Sequence, residues 1–416
     1  MKSFVPLFAL AAFSSVAWAS SDDVFDGIRD ALSYSGYDNQ VRARLSGTLD
    51  LEEYWFQEPA PQLIYADKSP LFNPRLTLFL DGQIGDRVYL FVQARADRGF
   101  DPSDEKLEAR LDEYALRYTA IANGALQIQI GKFGAVVGNW IRRHGSWDDP
   151  FISAPMPYSQ LTAVWDVSPA DSADELLEWG HLTPESDESD EYDDKALQLP
   201  IIWGPSYTHG ISVSGDIGKI EYAVEMKSGS LSSRPDSWDS SASGWKHPTF
   251  NAELSYHPSP MWNVGISASS GPYLLPSAAR HLAPNHGLAS YRETVFGADF
   301  EFAWRHWQVW AEVYRARFEN PWVGNADVTS YYVEAKYKFA PQFFAALRWN
   351  QDYYNRVFTR TEGWAKWGLD SWRIDFAPTY RFTTHIQLKL QYSLQHRASL
   401  NESYSNLFAV QLTTRF

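Results

Sequence analysis

Between Trp140 and Trp165 the chain gathers Arg142, Arg143, His144, Trp147, Asp148 and Asp149, together with Phe151, Tyr158 and several prolines. Two guanidiniums near two carboxylates do no covalent chemistry, but held across a narrow aqueous passage they sort solutes by size and charge. On an ordinary surface loop the same residues would neutralise one another, Arg142 and Arg143 pairing with Asp148 and Asp149. The outcome depends on where the rest of the chain puts this stretch.

Other chemistry is sparse. His209 and Ser212 fall close together on one extended segment, but no third group completes a triad. There is no G-x-S-x-G, H-E-x-x-H or P-loop sequence, and the histidines are scattered without metal-ligand spacing. Cysteine is absent, which removes disulfides and thiolate metal sites. Asp166 to Asp194 holds twelve Asp and Glu and no Lys or Arg, so this stretch carries most of the net charge of −15. It reads as a self-repelling external segment, or as a vestibule that attracts cations or holds calcium weakly against lipopolysaccharide. Asp187-Glu188-Ser189-Asp190-Glu191 lacks the glycine and spacing of a calcium-binding EF loop. The expectation is no enzyme, no cofactor and no resident metal, and the acidic balance without a basic stripe excludes nucleic acid as a partner.

The elements that position these residues follow from order rather than composition. Lys2, the apolar run Phe4 to Phe13 and Ala17-Trp18-Ala19 form a secretory signal pattern over residues 1–19. Residues 20–40 read as a short periplasmic segment. Val24, Phe25, Ile28, Ala31 and Leu32 recur there at helical spacing, for a helix that either rests at the base of the fold or plugs it. Beyond the signal no stretch approaches eighteen apolar residues, which excludes a helical membrane protein.

Alternation with period two then runs to the C-terminus. Val88, Leu90, Val92, Ala94 and Ala96 fall on one face and Arg87, Tyr89, Phe91, Gln93, Arg95 and Asp97 on the other. Sixteen such segments are predicted, at 41–54, 74–83, 87–97, 111–121, 125–133, 207–215, 219–228, 250–257, 262–270, 293–304, 306–317, 328–339, 342–353, 371–382, 385–395 and 406–416. Many are ten or eleven residues long, more than a soluble sandwich uses and enough to cross a bilayer when tilted. Short turns, as at Gly85, Asn123-Gly124, Arg305 and Thr383-Thr384, alternate with connections of about ten residues or more. The predicted class is therefore all-β: a transmembrane antiparallel barrel over 41–416 with about sixteen strands, fourteen or eighteen lying within the slack of the boundaries. In hydrocarbon such a sheet must close, because each unpaired edge group costs several kcal/mol.

Sixteen strands, short periplasmic turns, an outsized connection 134–206 after the fifth strand and a last strand ending on Phe416 resemble the bacterial porins of the outer membrane. Gly131-Lys132-Phe133-Gly134 and Gly138-Asn139-Trp140-Ile141-Arg142-Arg143-His144 are faintly similar to the phosphate-selective porin O and P family. The porin resemblance implies passive diffusion of small hydrophilic solutes or ions, a long loop that folds into the lumen, a homotrimer, and Phe416 as part of the signal read by the barrel-assembly machinery. Outer-membrane lipid and lipopolysaccharide are the implied surroundings. A barrel of sixteen strands leaves an aqueous channel. Its polar faces offer Arg42, Arg44, Arg95, Arg117, Arg348, Arg373, Lys389, Glu334 and Asp375 to the lumen. Trp and Tyr near segment ends, among them Tyr54, Trp262, Trp304, Trp307, Tyr354 and Trp367, suit interfacial girdles, or else a sugar-stacking track. Two rivals stand: a plugged transporter for hydrophobic or specific small substrates, and a barrel enzyme.

Overall fold

The computed structural model describes residues 15–57, 69–99, 107–181, 197–238, 245–398 and 403–416. Each of the sixteen predicted segments is a strand, and together they close an antiparallel barrel: β2 (Val41–Phe56), β3 (Leu71–Ile84), β4 (Val88–Asp97), β5 (Glu108–Ile121), β6 (Leu126–Phe133), β7 (Thr208–Ile217), β8 (Ile220–Lys227), β9 (Thr249–Ser259), β10 (Trp262–Pro272), β11 (Arg292–Trp304), β12 (Trp307–Asn320), β13 (Gly324–Lys338), β14 (Phe343–Tyr354), β17 (Ser371–Arg381), β18 (Ile386–Arg397) and β19 (Ser403–Arg415). Neighbours in sequence pair throughout, and β19 pairs with β2 to close the ring. Among the described residues no helix is long and apolar enough to cross a membrane, so the strands alone would do so.

Closure is finished by backbone exchange between Phe416 and Gly47, N–H to O at 3.1 and 3.2 Å. The Phe416 ring lies over Gly47, where a Cβ would come within 2.7 Å of it, so the glycine is needed for this contact. Because β2 outruns β19 toward its N-terminus, an edge is left bare. A four-residue strand β1 (Ser33–Gly36) fills it, pairing Ser33 with Arg44 through Gly36 with Val41. No alternation marks this strand in the residues 33–36 themselves. Helix α1 (Ser15–Ala31) precedes it and begins before the expected start of the mature chain. Residues 1–14 of the expected signal segment lie outside the described residues.

Outward positions are apolar and exposed around the barrel, as at Leu51, Leu80, Leu90, Leu116, Ile130, Val224, Ile266, Val313, Leu347 and Phe376. Aromatic rings cap this belt at both ends. Trp262, Trp304 and Trp307 lie at the short-turn end, and stacked Tyr331–Tyr353 and Trp349–Trp372 lie at the other. Three residues expected in the girdles are not there: Tyr54, Tyr354 and Trp367 are buried. Tyr54 faces inward and donates to Glu52, and the Trp367 indole donates to the Asp327 carbonyl at 2.9 Å. Several strands also run past the belt on the long-loop side. β13 begins at Gly324 rather than 328, which reduces its connection to β12 to three residues. A small hairpin, β15 (Arg356–Thr359) with β16 (Gly363–Lys366), stands in another external loop.

Candidate functional site

Connection 134–206 enters the barrel, and polar side chains of the wall meet its backbone. Glu312 on β12 accepts the N–H groups of Asn139 and Trp140 at 2.8 and 2.6 Å. Asn350 accepts that of Met156 at 3.1 Å, and Gln391 those of Ile152 and Ser153 at 2.7 and 3.1 Å. From the donor side, Arg348 and Arg373 each reach a loop carbonyl at 2.7 Å, of Ser153 and Ala154 respectively. An irregular segment can be buried only if its backbone groups find such partners. Short turns of 3₁₀ helix, Trp140–Arg143 and Met156–Tyr158, compact it further. Its apolar residues, including Trp140, Ile141, Tyr158, Val164, Leu199 and Ile202, form one core with Trp310, Tyr314 and Tyr332 of the wall.

Gly138 sits where this segment turns, at φ +98°, and a Cβ there would fall 2.0 and 2.1 Å from the hydroxyls of Tyr158 and Tyr314. Gly138→Ala is therefore expected to displace the loop, since the backbone conformation and the space both exclude a side chain. Limited proteolysis of the folded barrel should show new cleavage between 134 and 165. An unchanged digestion pattern would show that the turn tolerates the methyl.

The residues singled out in the sequence separate into distinct roles. Arg142 pairs with Glu221 and Glu253 of β8 and β9, both at 2.8 Å. Arg143 pairs with Glu334 of β13 at 2.8 Å and lies over the Trp310 ring at 4.4 Å. These wall carboxylates, and not Asp148 and Asp149, are their partners, so the surface-loop alternative does not describe this chain. Asp149 is buried inside the loop, accepting from the Trp140 indole and the Phe151 backbone at 2.8 and 2.9 Å. Asp148 faces the remaining cavity. His144 is enclosed between the Ile141 carbonyl and the Tyr207 hydroxyl. The carbonyl can only accept, so Nδ1 carries the proton, and burial pushes the imidazole below its ordinary 6.5.

On the wall, Arg348 and Arg373 share Asp375 at 2.8 and 2.9 Å, and Arg348 also lies 3.8 Å from Glu334. Lys389 is buried against the Phe151 carbonyl. Arg117 binds Gln129 at 2.9 Å, and Arg95 binds Asp112 at 2.9 Å. Arg42 and Arg44 lie at the short-turn end of β2, and among the described residues neither has a carboxylate partner.

With the loop fastened to β8, β9, β12 to β14, β17 and β18, the open volume is eccentric. A cavity of about 590 Å³ lies between the loop and the wall made by β2 to β5 and β19. Its wall carries Arg44, Asp50, Arg75, Arg95, Arg110, Asp112 and Arg415, and its loop side Trp140, Trp147, Asp148 and Tyr207. Most of these charges are paired: Arg75 with Asp50 and Glu52, and Arg110 with Asp97 and Asp112. Arg415 instead lies over the Trp147 ring at 3.9 Å, with Arg381 at 4.9 Å from the same ring. Below, α1 reaches this mouth: Phe25 stacks on His385 at 5.2 Å and Arg29 lines the cavity.

Asp112 and Arg110 were not anticipated as site residues. The ladder between β4 and β5 slips at Asp112, so that Asp112 and Glu113, though adjacent, both turn inward. The signal was present as a phase break, with Arg110 and Asp112 on one alternation and Glu113 and Arg117 on the next.

From 166 onward the acidic half is partly folded. Asp166 pairs with Arg234 at 2.9 Å. Helix α2 (Ala173–His181) docks Asp174 on the backbone N–H groups of Arg360 and Thr361, both at 3.0 Å. The expectation of a self-repelling segment is thus wrong for residues 166–181. Residues 182–196, including the Asp187–Glu191 run considered for calcium, lie outside the described residues.

A closed sixteen-stranded antiparallel barrel with an exposed apolar belt and a polar lumen is a transmembrane barrel of the outer-membrane type. Solved structures that share the fold include OmpF of Salmonella typhi in complex with daunomycin (13% identity, TM-score 0.55, covering 92% of this chain and 100% of that one). The outer membrane channel DcaP of Acinetobacter baumannii (10%, 0.55, 92% and 100%) and an anion-selective porin from Comamonas acidovorans (10%, 0.54, 90% and 100%) are similar to the same extent. No protein-family model matches the chain, and no curated sequence is similar to it. The narrower likeness to the phosphate-selective O and P family therefore rests on the Gly131–His144 residues alone.

Proposed function

We propose that this chain is a porin of the bacterial outer membrane, giving passive diffusion of small hydrophilic solutes or ions through the eccentric passage between its internal loop and the β2–β5 wall. The observation that carries this reading is the loop itself, fastened inside the lumen by Arg142 and Arg143 yet leaving a charged, open cavity beside it. The residues facing that cavity bind and repel ions, and the reading assigns them no covalent step. The homotrimer and assembly through Phe416 belong to the same proposal.

Arg44 and Arg415 lack a carboxylate partner among the described residues and line the short-turn end of the cavity, so this end favours anions. A unit charge about 7 Å from a permeating ion in water is worth about 0.6 kcal/mol, roughly a factor of three in that ion's local concentration. Arg44→Ala with Arg415→Ala is expected to shift the anion-to-cation permeability ratio by at least about three-fold toward cations. Reversal potentials in a salt gradient test this, and an unchanged ratio would remove these arginines from the ion path.

One observation favours the rival plugged barrel: α1 lies across the same mouth, with Arg29 in the cavity lining and Asp26 at 3.5 Å from His385. Conductance of a chain beginning at Ser33 separates the two readings. A large rise over the chain beginning at Ser20 would make α1 a plug, and equal values would make it a bystander at the base.

A further inference from the structure

On β12 the alternation that should keep charge in the lumen is broken on the lipid side. Tyr314, Ala316 and Phe318 point inward and are buried, which sends Arg315 and Arg317 outward, with side chains 59% and 46% exposed. They follow Val313 on the outer face, an apolar neighbour of the Tyr331–Tyr353 stack. At about 3.4 Å per residue and a tilt of about 40°, they stand roughly 21 and 26 Å above Trp307 of the opposite girdle, at the upper edge of a band about 25 Å tall. A charge at the midplane would cost a few kcal/mol. At this height it meets headgroups instead.

Asp327 on β13 sets their orientation. One of its oxygens accepts from Arg315 at 2.7 Å and from Arg317 at 3.0 Å, and the other accepts from Arg317 at 2.7 Å. A single carboxylate thus holds two guanidiniums and leaves the group positive; Arg315 Nη1 donates besides to the Thr329 hydroxyl at 3.4 Å, and Arg317 Nη1 has no hydrogen-bond partner among the described residues. Arg292 on β11 adds a third guanidinium to the same rim, turned toward β10 and fixed on the Ser270 hydroxyl and carbonyl at 3.0 and 2.9 Å. Glu319 lies among them and accepts the Arg292 backbone N–H at 3.1 Å. With two carboxylates against three guanidiniums, the patch keeps a net positive charge at the external rim.

The geometry points to Arg315 and Arg317, oriented by Asp327 and supported by Arg292, as a binding site on the outer wall for the phosphate of lipopolysaccharide in the external leaflet. Planar guanidiniums bind phosphate with paired N–H donors, and the Tyr331–Tyr353 stack below offers the acyl chains an apolar face. This site is separate from the lumen and is independent of whether the barrel conducts.

The test uses the full chain purified from outer membranes. The parent protein is expected to bind bisphosphorylated lipid A about ten-fold more tightly than dephosphorylated lipid A in native mass spectrometry, as charge-assisted phosphate contacts require. Arg315→Ala with Arg317→Ala should lose that preference while keeping the heat-dependent gel shift of a folded barrel and the parent conductance, and Arg315→Lys with Arg317→Lys should keep part of it. Equal binding of the two lipids by the parent overturns the proposal without needing any variant. A double alanine variant that retains the preference also overturns it. So does one that loses an oligomer while binding lipid as before, because the patch would then be a contact between copies of the chain.

Discussion

Arg348→Ala is expected to destabilise the folded barrel by about 3–5 kcal/mol, the usual cost of removing one partner from a buried ion pair. The guanidinium is fully buried, bonds Asp375 and the Ser153 carbonyl, lies 3.8 Å from Glu334 and stacks 4.1 Å over Phe151. Its loss strands part of a carboxylate pair and releases the loop at the same time. Arg348→Lys keeps the charge but not the fork, so it should recover only part of the loss. Urea titration in lipid vesicles, read by the heat-dependent gel shift, measures the difference. A change below about 1 kcal/mol would mean that Arg348 behaves as an exposed pair and that water, not the loop, fills this part of the lumen.

The second large effect is expected from Arg142→Ala with Arg143→Ala. Two positive charges disappear while Glu221, Glu253 and Glu334 remain, so the side of the loop that faces β8, β9 and β13 becomes acidic next to the passage. None of these residues lines the cavity itself, so each lost charge acts from farther off; at about 14 Å in water it is worth about 0.3 kcal/mol, and the two together give roughly a three-fold rise in cation preference. The loop also loses its ion pairs with β8, β9 and β13, so the conductance should rise and its fluctuations increase. Replacing Asp148 instead should change selectivity the other way without loosening the loop, because Asp148 makes no ion pair among the described residues. If the double variant behaves as the parent does, Arg142 and Arg143 are fastened away from the ion path and the filter lies elsewhere.

The barrel was legible because a lipid-facing strand has little freedom. Leu49, Leu51 and Leu116 must face hydrocarbon while Asp50, Glu52 and Arg117 must not, and this alternation fixed all sixteen segments and their short turns. Its failures are local and physical. The slip at Asp112 re-aims two carboxylates, and Arg315 and Arg317 face outward where the membrane ends and the rule relaxes. The inward course of the loop could not be read from Trp140 to Trp165, because its backbone is satisfied by Glu312, Asn350, Arg373 and Gln391, each more than 150 residues away in sequence. No local pattern records such partners. For the same reason Arg142 and Arg143 were recognised as charged candidates while Glu221, Glu253 and Glu334 were not recognised as their counterparts.

The central claim is that a loop narrows an open channel, and single-channel recording in planar bilayers tests it most directly when the parent and the Arg142→Ala, Arg143→Ala protein are compared under one salt gradient. The parent should open in stable steps, and the variant should open in larger, noisier steps with a reversal potential moved toward cation selectivity. A parent that stays silent while folded and inserted would contradict the account, because the cavity beside the loop would then be a closed pocket and not a passage.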